Sequence, residues 1–268
     1  MRRSLSRLRL AVAFLVLVAA PASAQIRVLE VTTTEDQRTA TEIADSLFDA
    51  METRASYDAA AAFVEGRPDS YAGQWRAARA ALILGVLETD EDRELAWLEA
   101  ADGHATSALQ ADSAGIDGLF WSASAKGRLA LQYGVRGAAR LTQEMWDLTH
   151  EILAIDSLHP GAHNLLGKLN YEVMRLSGWQ RTLGKLVLRT DPLREASWEK
   201  ARYHHELAVQ QDSTTILFLL DLAQTYQHDG DEAKAIETFG RALALPEAYP
   251  VDAEFKRRIR DYLAELQG

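Results

Sequence analysis

Apolar residues return along most of this chain at intervals of three and four, the period of a helix with one buried face. The clearest case is Asp252–Leu266, where Phe255, Ile259, Tyr262, Leu263 and Leu266 share one side. Lys256, Arg257, Arg258 and Arg260 fall between them. The same spacing predicts further helices upstream. They carry Ile43, Leu47 and Phe48; Tyr57, Ala61 and Phe63; Trp75, Ala78 and Leu82; Trp97, Ala100 and Ala108. Trp121 and Ala125 mark another, and Met145, Trp146 and Ile152 the next. Strand-like alternation is confined to Ile26–Thr34, read as an extended leader before Glu35. One stretch is apolar without a period: Leu10–Ala20. Arg2, Arg3, Arg7 and Arg9 precede it with no acid, and Ala22-Ser23-Ala24 follows. A basic start, a short apolar core and small residues at the cleavage position are the parts of a secretory signal. The run is about half of the roughly 20 residues that span a bilayer. Cleavage after Ala24 and export to the periplasm are expected, with a retained anchor as the alternative.

The helical segments repeat. Asp-Ser follows a short helical stretch at Asp112-Ser113, Asp156-Ser157 and Asp212-Ser213, with a weaker copy at Asp69-Ser70. Each interval exceeds the roughly 34 residues of a helix–turn–helix tetratricopeptide unit. The last unit, Phe218 to Pro246, resembles that repeat directly. Leu222, Ala223 and Tyr226 stand on its first helix, Gly230 at the turn, Ala235, Phe239 and Ala242 on its second, and Pro246 closes it. The small residues let two helices approach, the aromatics fill the space between repeats, and Gly230 is expected at positive φ. Another unit runs from Pro160 to Asp212, with helix A over 161–174 and helix B begun by Asp191-Pro192 as N-cap and first residue. An insertion near 175–190 separates the two. The expected fold is all-α: a right-handed tetratricopeptide-like solenoid of about five hairpins plus a C-terminal capping helix. It forms one domain over 35–268, after a signal peptide over 1–24 and a leader over 25–34.

Two segments carry a narrower resemblance. One is Trp75-Arg76-Ala77-Ala78-Arg79. The other is Asn164-Leu-Leu-Gly-Lys-Leu-Asn-Tyr-Glu-Val-Met-Arg-Leu-Ser-Gly-Trp-Gln-Arg181. With the final repeat, they make the stretch from Trp75 to about Leu266 similar to the regulator of microtubule dynamics proteins. That family's corresponding block reads Leu-Leu-Gly-Arg-Trp-Cys-Tyr-Glu-Val-Ala, then Leu-Ser-Trp and a basic residue. Here Asn170 stands in place of its Cys, and Gly178 is an extra residue before Trp179. The resemblance implies a helical repeat fold and a non-enzymatic, partner-binding role, and it carries over no tubulin-binding residue. Phe120 to Ala125 loosely resembles a periplasmic tetratricopeptide component of some solute transporters. It implies an alternative role, holding a small apolar ligand or docking a solute-binding protein.

Composition narrows the choice. Of 268 residues, 47% are hydrophobic and 25% charged, a globular balance. The formal charge of −10 speaks against a nucleic-acid partner. Loss of residues 1–24 would remove four arginines and no acid, leaving the chain more acidic still. With no Cys there is no disulfide, thiolate nucleophile or iron–sulfur cluster.

The candidate chemistry is sparse. His159 and His163 have a spacing that can put two ligands on one helix face, but no third ligand is placed to join them. His204 and His205 point about 100° apart on a helix, and His205 falls where the repeat packs an aromatic. No metal and no cofactor are expected. Gly134 to Gly137 is read as a turn. The acid pairs Asp90/Asp92 and Asp229/Asp231 fall in turns where Asp caps helices. No phosphate loop or nucleophile motif is present, so no catalytic residue is assigned. Binding is expected on the concave face, at Arg76, Arg79, Asn164, Lys168, Tyr171, Glu172, Gln224, Gln227 and His228. The insertion is basic and amphipathic; it is read first as an extra helix packed on the solenoid that neutralises neighbouring acids, and alternatively, through Arg175, Trp179, Arg181, Lys185 and Arg189, as a second docking segment for an acidic partner. Its contact with a membrane surface is the less favoured reading.

Overall fold

A computed structural model describes residues 39–178 and 190–267. The expected signal, the leader, and Trp179, Arg181, Lys185 and Arg189 of the basic segment lie outside the described residues. Residues 39–49 are helical (α1). There follow α2 (Thr53–Gly66), α3 (Tyr71–Leu87), α4 (Glu91–Ala111), α5 (Ile116–Gln132), α6 (Val135–Ile155) and α7 (Pro160–Arg175). Then come α8 (Asp191–Glu195), α9 (Trp198–Gln211), α10 (Ile216–His228), α11 (Glu232–Ala244) and α12 (Asp252–Gln267). No strand occurs among the described residues. The closest pairings are α3 with α4, α5 with α6, α7 with α9, and α10 with α11. These are the expected hairpins, stacked into a helical solenoid with α12 against α10 and α11.

The recurrent aspartates explain how one hairpin passes to the next. Asp112, Asp156 and Asp212 each end a B helix with a backbone N–H bonded four residues back. Their carboxylates then accept the N–H two residues on, from Ala114 at 3.1 Å, Leu158 at 3.1 Å and Thr214 at 2.9 Å. This side-chain turn costs little where a helix must stop and reverse. Ser70, Asp90, Ser197 and Asp231 cap the starts of α3, α4, α9 and α11. Gly230 has φ +79°, as the repeat requires.

Three local expectations are corrected. Asp191-Pro192 does not open helix B; it lies in the separate short helix α8, and α9 starts after Ser197. Asn170 braces the restart. It is buried, donates to the Leu166 carbonyl at 2.8 Å and accepts the Ser197 N–H at 3.2 Å. Gly134 is the N-cap of α6, and Val135 to Gly137 form its first turn rather than a loop. Ile43 is half exposed, whereas Phe48 of the same helix is buried.

Packing follows the small residues. Ala81, Ala101, Ala105, Ala108, Ala123, Ala125, Ala162, Ala201, Ala208, Ala223, Ala235 and Ala242 are all buried. A Cβ on Gly167 would collide with the His205 ring, so only glycine admits that helix contact. The largest apolar cluster joins Phe48 of α1 and Ile83 of α3 to Ile216, Phe239, Val251, Phe255 and Ile259. A cleft of about 630 Å³ is lined on one side by Met51 to Ala55, Asp58 and Leu87, and on the other by Glu247, Tyr249, Pro250 and Ala253. The solenoid therefore curls until its first and last turns meet. Among the described residues no helix is long and apolar enough to cross a membrane.

Candidate functional site

One row of helices along the stack runs α3, α5, α7 and α10, each in contact with the next, and α12 continues it from α10. The first polar group joins α1 to α3. Arg76 donates to Asp45 Oδ2 from Nε at 2.9 Å and Nη2 at 2.7 Å, and Arg79 Nη2 donates to Asp45 Oδ1 at 2.8 Å. The Arg79 guanidinium lies 3.9 Å over Phe48, and that of Arg76 lies 4.1 Å over Trp75. Burial alone would raise the Asp45 carboxyl, but the two arginines outweigh it and hold it below the usual carboxylate range. The Trp-Arg-Ala-Ala-Arg segment thus clamps the first helix to the third.

A second group joins α7, α10 and α12. Lys168 Nζ lies 2.9 Å from Asp221 Oδ1, 3.3 Å from Gln224 Oε1 and 3.5 Å from Glu172 Oε1. Asn164 Nδ2 donates to Asp221 Oδ2 at 3.1 Å, and Gln224 Nε2 donates to the Tyr262 hydroxyl at 2.6 Å. Asp221 is buried, which favours its neutral form, yet Lys168, His205 and Asn164 together keep its carboxyl below the usual range. Sequence reasoning passed over Asp221. Its signal was an acid inside the apolar run Phe218-Leu-Leu-Asp-Leu-Ala.

The remaining groove residues lie toward the C-terminal ends of α7 and α10. Tyr171 is buried, which pushes its hydroxyl up to about 12. His228 stacks on Trp198 at 4.6 Å and 22° between planes. Tyr171 stands edge-on to both, at 5.6 Å and 5.4 Å. Arg175 lies 5.5 Å over Tyr171 and 3.4 Å from Glu172. Tyr171, Arg175, Gln227, His228 and Tyr262 line a cavity of about 380 Å³. The structure thus brings Arg175 of the predicted basic segment beside Tyr171, Gln227 and His228 of the predicted groove. Arg76 and Arg79 belong to the separate cluster on Asp45. Trp198 and Tyr262 were not foreseen as site residues, because their contact with α7 and α10 depends on how the hairpins stack.

Two other features bear on function. Arg128 of α5 is half-buried, with no hydrogen bond or ion pair among the described residues; burial and then Arg258 lower its affinity for its proton. His163 and His204 face each other with Nδ1 atoms 3.0 Å apart, and His163 Nε2 meets the Ser157 carbonyl at 3.1 Å. His159 caps α7 through Nδ1, accepting from Ala162 N at 3.0 Å, and His205 is fully buried on Thr225 Oγ1 at 2.8 Å. Among the described residues no three metal-binding side chains come together. Phe120 packs with Leu119, Ile152 and Ala162, and Trp121 with Leu82, Leu98 and Leu129. Both are partly buried residues packed against these clusters.

The family model for regulator of microtubule dynamics protein 1-3 matches residues 40–267. No curated protein matches the chain in sequence. Among solved structures, a thermophilic TPR protein of Thermus thermophilus aligns with TM-score 0.59 and 15% identity, covering 85% of this chain and 99% of that one. YrrB, a TPR protein with an unusual peptide-binding site, aligns with TM-score 0.42 and 12% identity over 92% of this chain and 100% of its own. An IFIT1 monomeric mutant with Gppp-AAAA aligns with TM-score 0.48 and 17% identity, over 81% of this chain and 51% of that one.

Proposed function

The chain belongs to the regulator of microtubule dynamics protein 1-3 family, and from that premise we propose that it is a non-enzymatic scaffold acting in the periplasm. It binds an extended peptide or a partner protein on the inner face of its solenoid. Stacked hairpins make such a face as a consequence of burying their own cores. The observation that carries the reading is the polar stripe across α7, α10 and α12. There Asn164, Lys168 and Gln224 are braced on Asp221 and Tyr262, while Tyr171, Gln227 and His228 stand open at one end. Pre-ordered polar side chains lose little entropy on meeting a peptide. The N-terminal signal pattern supports export.

Photo-crosslinking in living cells tests this. A crosslinker at Gln227 is expected to capture a reproducible protein, and one at the exposed Glu151 of α6 is not. Capture from Glu151 but not Gln227 would move the binding surface off the inner face. Mass spectrometry expects the mature N-terminus at Gln25.

A further inference from the structure

The cavity between α7, α10 and α12 has an unusual inventory. Among the described residues, each polar side chain that lines it can donate a hydrogen, and Gln227 and His228 can also accept one. Arg175 spends one edge on Glu172 at 3.4 Å and keeps its other N–H groups. The Tyr262 hydroxyl accepts from Gln224 at 2.6 Å, so its own O–H is left to donate. Among the described residues the Tyr171 hydroxyl, the Gln227 amide and the His228 ring have no hydrogen-bonding partner, although Tyr171 is almost fully buried. Gln227 is half-buried and His228 exposed, so a ligand can reach these groups directly from solvent.

The apolar part of the cavity is flat. His228 lies parallel to Trp198 at 4.6 Å, which covers one face of the imidazole. Tyr171 rises at 80° to His228 and makes a wall. A planar group can stack on the uncovered side of His228 with its edge toward Tyr171. The volume of about 380 Å³ is that of a small-molecule site. Arg175, the only full positive charge among the described lining residues, is partly offset by Glu172, so the site balances one negative charge and not two.

We propose that this cavity is a binding site for a planar organic monoanion, an aromatic carboxylate. The carboxylate sits on Arg175, Gln227 and the tyrosine hydroxyls, and the ring stacks on His228. This goes beyond the scaffold reading and does not depend on it.

Calorimetric titration of the intact mature protein with benzoate, benzamide and phenyl phosphate tests the site, with Trp198 fluorescence as a second signal. Benzoate is expected to bind at least about tenfold more tightly than benzamide, and more tightly than phenyl phosphate. R175Q, at an exposed position, is expected to erase the preference for benzoate over benzamide while keeping the native circular dichroism spectrum. Y171F is expected to weaken benzoate severalfold, and W198F to remove the fluorescence response without abolishing the heat. A hexapeptide carrying 4-carboxyphenylalanine separates a free acid from a peptide-borne one; benzoate is expected to bind at least as tightly. No heat from benzoate up to about 10 mM, equal binding of benzamide, preference for phenyl phosphate, indifference to R175Q, or binding of the peptide alone would each overturn the proposal. Crosslinks from Gln227 that persist in R175Q would leave the scaffold reading intact even then.

Discussion

His204 and His205 carry more of the physics of this fold than their place in the sequence suggests. Burial, then the neighbouring His163 and His205, lowers His204 to about 4. Burial lowers His205 to about 4 against the opposing charge of Asp221. The unfolded chain, with both near the ordinary histidine value of 6.5, binds protons that the folded chain refuses. Stability is therefore complete above about pH 6.5 and falls as pH drops toward about 4, where the folded histidines also protonate. Thermal melts from pH 7 to 4.5 should show a falling Tm, and His204→Gln should flatten the fall. An unchanged slope in His204→Gln would mean that His205 or carboxylates such as Asp45 and Asp221, not His204, set the acid limit.

At the scale of elements, the informative feature is the break between α8 and α9. A Pro-containing start at Asp191-Pro192 is a legitimate helix signal, and a helix does form there. It ends after one turn because the chain must re-enter the stack where Asn170 can receive the Ser197 N–H. Asn170→Ala leaves the Ser197 N–H without its partner, for a cost of about 1–3 kcal/mol. Ser197→Ala removes the cap of α9 for about 1 kcal/mol. Both act on one joint, so the double variant should cost less than the sum in urea melts. Strict additivity would show that Asn170 and the cap act independently. Asn170 stands where the family has Cys, and a thiol could not brace the joint on both sides as the amide does.

The whole molecule is held as a closed curl. An open solenoid transmits stability only between neighbours, but here Phe48 and Ile83 share a cluster with Val251, Phe255 and Ile259. Phe255→Ala should cost about 3–5 kcal/mol, as for other buried aromatics. Hydrogen exchange should then quicken in α3 as well as in α10 and α11. Loss of protection confined to α10 and α11 would show that the two ends do not cooperate. Lys256 fixes α12 to the end of α11. It stands among the basic residues that the sequence places on a polar face, yet it turns inward and donates to the Leu245 carbonyl at 2.6 Å.

The class of fold was legible in the residues alone because helix formation, capping and hairpin turns are local. Periodicity placed the helices, Asp112, Asp156 and Asp212 marked the returns, and Gly230 marked a positive φ. Asn164, Lys168, Tyr171, Gln224, Gln227 and His228, named from the repeat, are brought together across α7 and α10. Which of them would be occupied was not legible. Asp45, Asp221, Trp198 and Tyr262 come from helices far apart in sequence, and only stacking brings them within bonding distance. Tertiary structure decided that Arg76 and Arg79 clamp α1, that Lys168 is spent on Asp221, and that a donor-lined cavity remains beside His228. The amino-acid sequence determined a helical repeat. The curvature of the stack, a sum of many side-chain contacts, decided what its inner face presents.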